Sequence, residues 1–413
     1  MAASLQKSVW SPKICDICGE RKNLELLGER IYQLPTREGP FEFILKDILC
    51  LSCGFAFAGE IPDDRFLDRY YRAAHTLRSD IREIKPDFDP DARLEIIRKY
   101  VKPGGSVCEI GAASGEFCEL LNDEGYTASG LDPLAKCSES VAETGIFGST
   151  GNLDGSIKSF DAVVGYYVLE HISRPRRWLD HIKNFLSLNG ILIIEVPHFT
   201  RNPVESLYPQ HMLHFTPHHL RLILESMGFG VLLIDEQKIS RKFGLVAAAM
   251  LIDPAVNRFA GPDAVNREDL ESIVESGRHA YKQGIETKGA TETRFRKLAE
   301  YLEGLSAPSP DSKSKVYFWP ANDVATAVAS AMKDTTYVIA VDSSSTKIGT
   351  LYPGFPNPVQ APVFPKADDR HRIFILCSPS WNNQIADQIR EMDLDDISII
   401  DAVSWKELSS KEQ

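Results

Sequence analysis

No stretch of this 413-residue chain approaches the ~20 consecutive apolar residues that a membrane-crossing helix needs. A helical membrane span is therefore not expected. The opening residues, Met1 to Lys7, lack an extended apolar core, so no secretory leader is read there and the expected location is the cytoplasm. Positive charge is in deficit: 46 Lys and Arg stand against 58 Asp and Glu, a net charge of −12. That balance speaks against non-specific nucleic-acid binding and leaves room only for a local basic pocket toward a phosphorylated substrate. Internal repeats and low-complexity tracts are also missing. What remains is a globular composition, 43% hydrophobic and 25% charged, with length enough for two or three domains.

Four of the eight cysteines fall into two pairs, Cys15-Asp-Ile-Cys18 and Cys50-Leu-Ser-Cys53. Each pair has the spacing of a turn whose amides point at thiolate sulfurs, and four thiolates complete a closed tetrahedral zinc site of structural type. Strand-like segments at 24–32 and 41–48 bring the two turns together. Four reduced thiols, or a redox dithiol, are the competing reading. Cys108, Cys118, Cys137 and Cys377 read as buried small apolar residues.

The most informative stretch is Val107-Cys-Glu109-Ile-Gly111-Ala112-Ala-Ser-Gly115-Glu-Phe117, a short apolar strand that runs into a Gly-bounded turn. Gly111 lets the backbone turn at the strand's carboxyl edge, and Gly115 lets a following helix approach closely. Glu109 supplies acceptors to a cationic or hydroxylated ligand. A dinucleotide fingerprint would need a third spaced glycine and a diphosphate on a bare helix N-terminus, whereas Ala112 and Ala113 fill this turn. S-adenosylmethionine fits better, having no phosphate to cradle and carrying a sulfonium and an ammonium. The next strand, Thr127 to Asp132, ends in an acid placed to bind ribose hydroxyls. Asn152 and Leu153 then precede the strand 160–165 and are read as holding the adenine edge and face, and His171 follows that strand near the cofactor. Strands and helices at this spacing predict a parallel sheet with the ligand at its carboxyl ends.

Over about residues 80 to 250 this series resembles the class I S-adenosylmethionine-dependent methyltransferases. The expected fold is α/β: a Rossmann-like methyltransferase sheet with an N-terminal zinc module and a smaller C-terminal Rossmann-like α/β domain. The expected boundaries are 1–62 for the zinc module, 63–250 for the methyltransferase, 251–311 for a connecting helix pair and 312–413 for the C-terminal domain. This three-block order resembles the sugar C-methyltransferases of deoxysugar biosynthesis, which methylate a nucleotide-linked 3-keto sugar. The C-terminal part of the resemblance is carried by Asp342, Lys347, Gly349 and Pro353-Gly354. Where the family has a Gly-Ala turn, this chain has Trp319-Pro320-Ala321-Asn322.

On the acceptor side, Tyr208-Pro209-Gln210-His211 matches the family's motif at Tyr208 and His211. The resemblance implies that His211 removes the proton beside the ketone and that Tyr208 donates to the developing enolate oxygen. An imidazole titrating near neutrality and a positioned phenol suit those roles. Gln210 stands where the family has a carboxylate, and Pro209 replaces a His; Gln210 orients an imidazole only through a neutral amide. Tyr71 lies where the family has a Tyr-rich segment that reaches cofactor and acceptor. His218 and His219 open a predicted helix and are read as exposed. The expected partner is a small-molecule acceptor, with neither nucleic acid nor membrane, and the expected cofactors are S-adenosylmethionine and one structural zinc. O- or N-methylation of a small metabolite, and a non-catalytic cofactor-binding scaffold, are the rival functions.

Overall fold

The computed structural model describes residues 11–12, 14–34, 41–61, 90–113, 115–132, 141–143, 159–208, 210–236, 244–252, 267–306, 314–343, 347–364, 371–378, 382–392, 394–403 and 406–407. They fall into two compact units. One holds the described residues of Met1–Arg30, Ile44–Arg69 and Asp87–Glu286, the other those of Ile31–Phe43, Tyr70–Pro86 and Thr287–Gln413.

The strands in chain order are β1 (Ser11–Pro12), β2 (Leu24–Leu34), β3 (Phe41–Cys50), β4 (Ala56–Ala58), β5 (Glu60–Ile61), β6 (Ser106–Ile110), β7 (Thr127–Asp132), β8 (Val141–Glu143), β9 (Phe160–Tyr166), β10 (Leu186–Pro197), β11 (Leu213–His214), β12 (Phe229–Asp235) and β13 (Gly244–Leu251). Helices α1 (Pro90–Tyr100), α2 (Glu116–Asp123), α3 (Pro175–Lys183) and α4 (Pro217–Ser226) intervene. The main sheet has the order β12-β13-β10-β9-β6-β7-β8. Strands β8, β7, β6, β9 and β10 run parallel, while β13 is antiparallel to both β10 and β12. Chain order reverses about β6, with β7 on one side and β9 on the other. That reversal opens a crevice at the carboxyl end of β6, where open α/β sheets bind ligands. One face of the sheet is covered by Leu94 and Ile97 of α1 and by Phe117, Cys118 and Leu121 of α2, packed on Val107, Ala162, Val164 and Ile193.

Arg93 and Glu195 bring an ion pair into this core. Arg93 of α1 pairs with Glu195 of β10 at 3.0 Å, both buried, and its guanidinium lies 3.9 Å from the centre of the Tyr166 ring. Replacing Arg93 with Met strands a buried carboxylate, so Arg93→Met should lower the unfolding free energy by about 3–5 kcal/mol. The double change Arg93→Met/Glu195→Leu, which leaves no charge behind, should recover most of that loss in urea titrations. Equal losses in the single and double variants would show that packing, not charge, is at stake.

The four-cysteine module is built into the same unit through main-chain ladders. Its sheet has the order β11-β4-β3-β2, so a strand from the methyltransferase segment closes it, with Leu213 opposite Phe57 and His214 opposite Ala56. Phe55 stacks with Phe57 and meets Phe215 and His219 at ring-centre distances of 5.4 and 5.3 Å. On the other side Arg176 of α3 donates to the carbonyls of Asp16 and Ile17.

Between 267 and 306 the expected helix pair is instead one 40-residue helix, α5 (Arg267–Ser306). Gly277, Gly284 and Gly289 were compatible with a break, but a helical glycine costs only ~1 kcal/mol, which packing readily offsets. At Gly277 and Gly284 the missing side chain is used: a Cβ would stand 3.0 Å from Leu49 and 2.8 Å from the Pro203 carbonyl. Its first half joins Leu49, Ala56, Phe199 and Leu207 through Val274, Ala280 and Tyr281. In the other unit Phe295, Leu298, Ala299 and Leu302 pack on a sheet of strands β14 (Lys315–Trp319), β15 (Val338–Ala340), β16 (Arg372–Leu376), β17 (Ile397–Asp401) and β18 (Lys406–Glu407). The order is β15-β14-β16-β17-β18, with all pairs parallel except the last. Helices α6 (Asp323–Ala331) and α7 (Asn382–Glu391) complete this second α/β unit, as the sequence pattern implied.

Candidate functional site

The turn after β6 is shaped by three departures from ordinary backbone, at alternate residues. Gly111, Ala113 and Gly115 have φ of 75°, 47° and 85°. The Gly111 amide donates to the Leu131 carbonyl at 2.7 Å, and the Ala113 amide donates to Asp132 Oδ2 at 2.9 Å. The tip of β7 thus holds the turn open. Glu109 and Asp132 are both buried, and Glu109 accepts a hydrogen bond from Cys118 Sγ at 3.3 Å. Glu109, Gly111, Ala112, Gly115 and Asp132 therefore come together at the carboxyl edge of β6 and β7. Two carboxylates beside a glycine-lined turn suit a ligand with a cationic centre and a ribose, so the residues present fit S-adenosylmethionine. Tyr71, Asn152 and Leu153 lie outside the described residues, as does Pro209.

Burial pushes the Cys108 thiol up to about 12 and also raises that of Cys118. Both stay protonated at neutral pH, which fits a packing role.

A doubly wound sheet ending in a reversed strand, with this turn at its switch point, defines a class I S-adenosylmethionine-dependent methyltransferase domain. Residues 76–234 match the family model described as "Methyltransferase domain". That segment is a methyltransferase domain. No curated protein matches the sequence. Among solved structures it is similar to an S-adenosylmethionine-dependent methyltransferase from Mesorhizobium loti (16% identity, 39% of this chain and 100% of that one, TM-score 0.33). It is also similar to the 1,6-didemethyltoxoflavin-N1-methyltransferase of Burkholderia thailandensis (16% identity, 48% and 96%, TM-score 0.38) and to a methyltransferase from Archaeoglobus fulgidus (19% identity, 44% and 99%, TM-score 0.32).

Beside the cofactor turn lies a second polar group. The loop leaving β9 passes directly over the turn: a Cβ on Gly111 would meet Val168 Cγ2 at 2.7 Å. Three residues later His171 packs edge-on against His211, with ring centres 4.9 Å apart, and Tyr208 packs on His211 at 5.4 Å. His211 is buried and borders a small, partly enclosed recess with room for about one water, lined also by Pro197, Phe199, Ser206, Leu213 and His214. Gln210 engages through its main chain, its carbonyl oxygen lying 2.9 Å from His171 Nδ1. The sequence reading missed Glu170. It is 1% exposed, its carbonyl accepts from the Met212 amide at 2.8 Å, and one carboxylate oxygen lies 3.7 Å from His171 Nε2. The signal was its place beside His171 immediately after a core strand.

The expectation for His219 fails. It is 1% exposed, with Nδ1 2.7 Å from Thr216 Oγ1 and Nε2 2.9 Å from the Cys53 carbonyl. The helix presents this position to the zinc module, whose existence as a neighbour was not visible from helical periodicity.

Cys15, Cys18, Cys50 and Cys53 do converge, with all four sulfurs within 4.8 Å of one another and the pairs Cys15–Cys53 and Cys18–Cys50 at 3.5 Å. Zinc–sulfur bonds of about 2.3 Å put tetrahedral sulfurs roughly 3.8 Å apart, so the cluster fits the ion. The two turns are built alike. Gly19 and Gly54, each following the second cysteine, have φ of 80° and 78°, and their amides donate to the Cys15 and Cys50 carbonyls at 2.8 and 2.7 Å. Such a site has no open position and would act by holding the two turns together. Glu20 and Ser52 tie them further, Ser52 Oγ donating to Glu20 Oε2 at 2.9 Å.

Proposed function

We propose that this protein methylates a small-molecule acceptor at the carbon beside the ketone of a nucleotide-linked keto sugar, through an enolate. The observation that carries the reading is the packing of Tyr208 and His171 on His211 along the loop that crosses the cofactor turn. When bound, S-adenosylmethionine supplies an electrophilic methyl group. Glu109 and Asp132 orient it, and the Gly111 turn leaves it space. Proton removal is centred on His211, and the Tyr208 hydroxyl donates to the oxygen on which negative charge develops. Within the C-terminal α/β unit, Lys347 pairs with Asp342 at 2.9 Å. Zinc is structural.

The test is solvent deuterium exchange at the carbon beside the ketone, followed by NMR of the methylated product. His211→Ala should slow the exchange by about 10²–10⁴. Unchanged exchange would remove His211 from the reaction. A methyl found on oxygen or nitrogen would favour the rival suggested by Gln210, a neutral amide where a carbanion chemistry benefits from a charge.

A further inference from the structure

Glu170, His171 and His211 each bring one ligand atom to a common point, all within 4.8 Å of one another. The His171 tautomer makes this more than a meeting of polar groups. The Gln210 carbonyl can only accept, so His171 Nδ1 carries the hydrogen and, in a neutral imidazole, Nε2 presents its lone pair. That lone pair faces Glu170 Oε1 across 3.7 Å, too far for a hydrogen bond. Bonds of about 2.1 Å to one tetrahedral or octahedral cation place neighbouring ligand atoms roughly 3.0–3.4 Å apart, so this pair need close by only a few tenths of an ångström to share one. An imidazole whose other nitrogen donates to a main-chain carbonyl is also the usual outer arrangement of a metal-ligating histidine. The segments are fixed in advance: the Met212 amide is bonded to the Glu170 carbonyl, the His211 amide to the Tyr208 carbonyl, and β11 to β4. His171 is only half-buried, so one side of the cluster is open.

We propose that Glu170, His171 and His211 form a second cation site, distinct from the four thiolates, that takes a divalent transition metal such as zinc or manganese and presents its open positions to the acceptor. Two imidazoles and one carboxylate are a donor set for such ions when the site must keep room for a substrate oxygen. A cation there withdraws charge from an acceptor carbonyl oxygen and acidifies the adjacent C–H. The C–H electron pair becomes the enolate double bond, and the proton passes to water. His211 then serves proton removal as a ligand and not as a free imidazole. The role rests on the acceptor side proposed above, but the existence of the site does not.

The test needs no acceptor. The full chain is stripped by mild chelation, equilibrated with excess Co²⁺ or Zn²⁺, desalted and analysed for bound metal. The wild type should hold about two ions per chain, one of them thiolate-bound, and Glu170→Gln and His211→Gln about one. Both variants should keep the thiolate-to-cobalt charge-transfer band and the wild-type unfolding midpoint, which excludes misfolding as the cause. A wild type that saturates at about one ion per chain, accounted for by the thiolate band, overturns the proposal, as do variants that retain both ions. Product NMR decides the methylation chemistry separately, so either idea can fail alone.

Discussion

Gly111→Val should abolish measurable binding of S-adenosylmethionine in a calorimetric titration and lower the unfolding free energy by roughly 2–5 kcal/mol. Two independent effects add. At φ of 75° any Cβ is strained, by about 1–2 kcal/mol. The new carbon also meets Val168 Cγ2 at 2.7 Å, an overpacking that displaces the loop leaving β9 or the turn itself. Displacing the turn breaks the Gly111 and Ala113 amide bonds that hold it against β7, so the cofactor loses its seat along with the fold losing stability. Gly104→Ala separates the two effects. Gly104 has φ of 76° but no neighbour within 4 Å, so that variant carries backbone strain alone and should bind the cofactor as the wild type does. If Gly111→Val bound with unchanged affinity, the turn would not be the cofactor site.

The sheet was legible because its signals are local. Thr127–Asp132 has the bounds read from its pattern. Apolar runs closed by glycine or aspartate are strands whatever surrounds them. Strand β13, Gly-Leu-Val-Ala-Ala-Ala-Met-Leu, was not read as a strand because alanines carry little β preference. Only the antiparallel ladders to β10 and β12 make it one. β10 begins at Leu186, earlier than its apolar run, because Leu186 pairs with Phe160 before a bulge.

The site divides the same way. Glu109, Gly111 and Asp132 could be read in sequence because one strand–turn–strand unit brings them together. Glu170 could not, since its partners His171 and His211 meet through a segment about forty residues away whose path is set by pairing with the zinc module. Gln210 suggested that the family's carboxylate was lost. In the fold a buried carboxylate does stand by the two imidazoles, donated from the end of β9.

Removing zinc should separate cofactor binding from turnover. The four sulfurs are the point at which both Cys-x-x-Cys turns close, and structural zinc contributes its binding free energy to folding, about 10–16 kcal/mol in finger peptides. Chelation, or Cys50→Ser, should therefore unfold the module around β3 and β4. The consequence reaches the acceptor side by a defined route: β4 pairs with β11, and the Ala58 amide donates to the Met212 carbonyl at 2.9 Å, next to His211. The amides of Gly111 and Ala113 bond instead to β7. Amides at Ala58 and Leu213 should lose protection in hydrogen exchange while those of β6 and β7 keep theirs. In Cys50→Ser, which leaves the Glu170/His171/His211 cluster untouched, S-adenosylmethionine should still bind within about threefold of the wild type, and methyl transfer should fall below detection, because the His211 segment has lost its frame. Protection that survives chelation at Ala58 would mean that the four thiols hold the module as packed sulfhydryls, and the expected dependence of turnover on the metal would be lost with it.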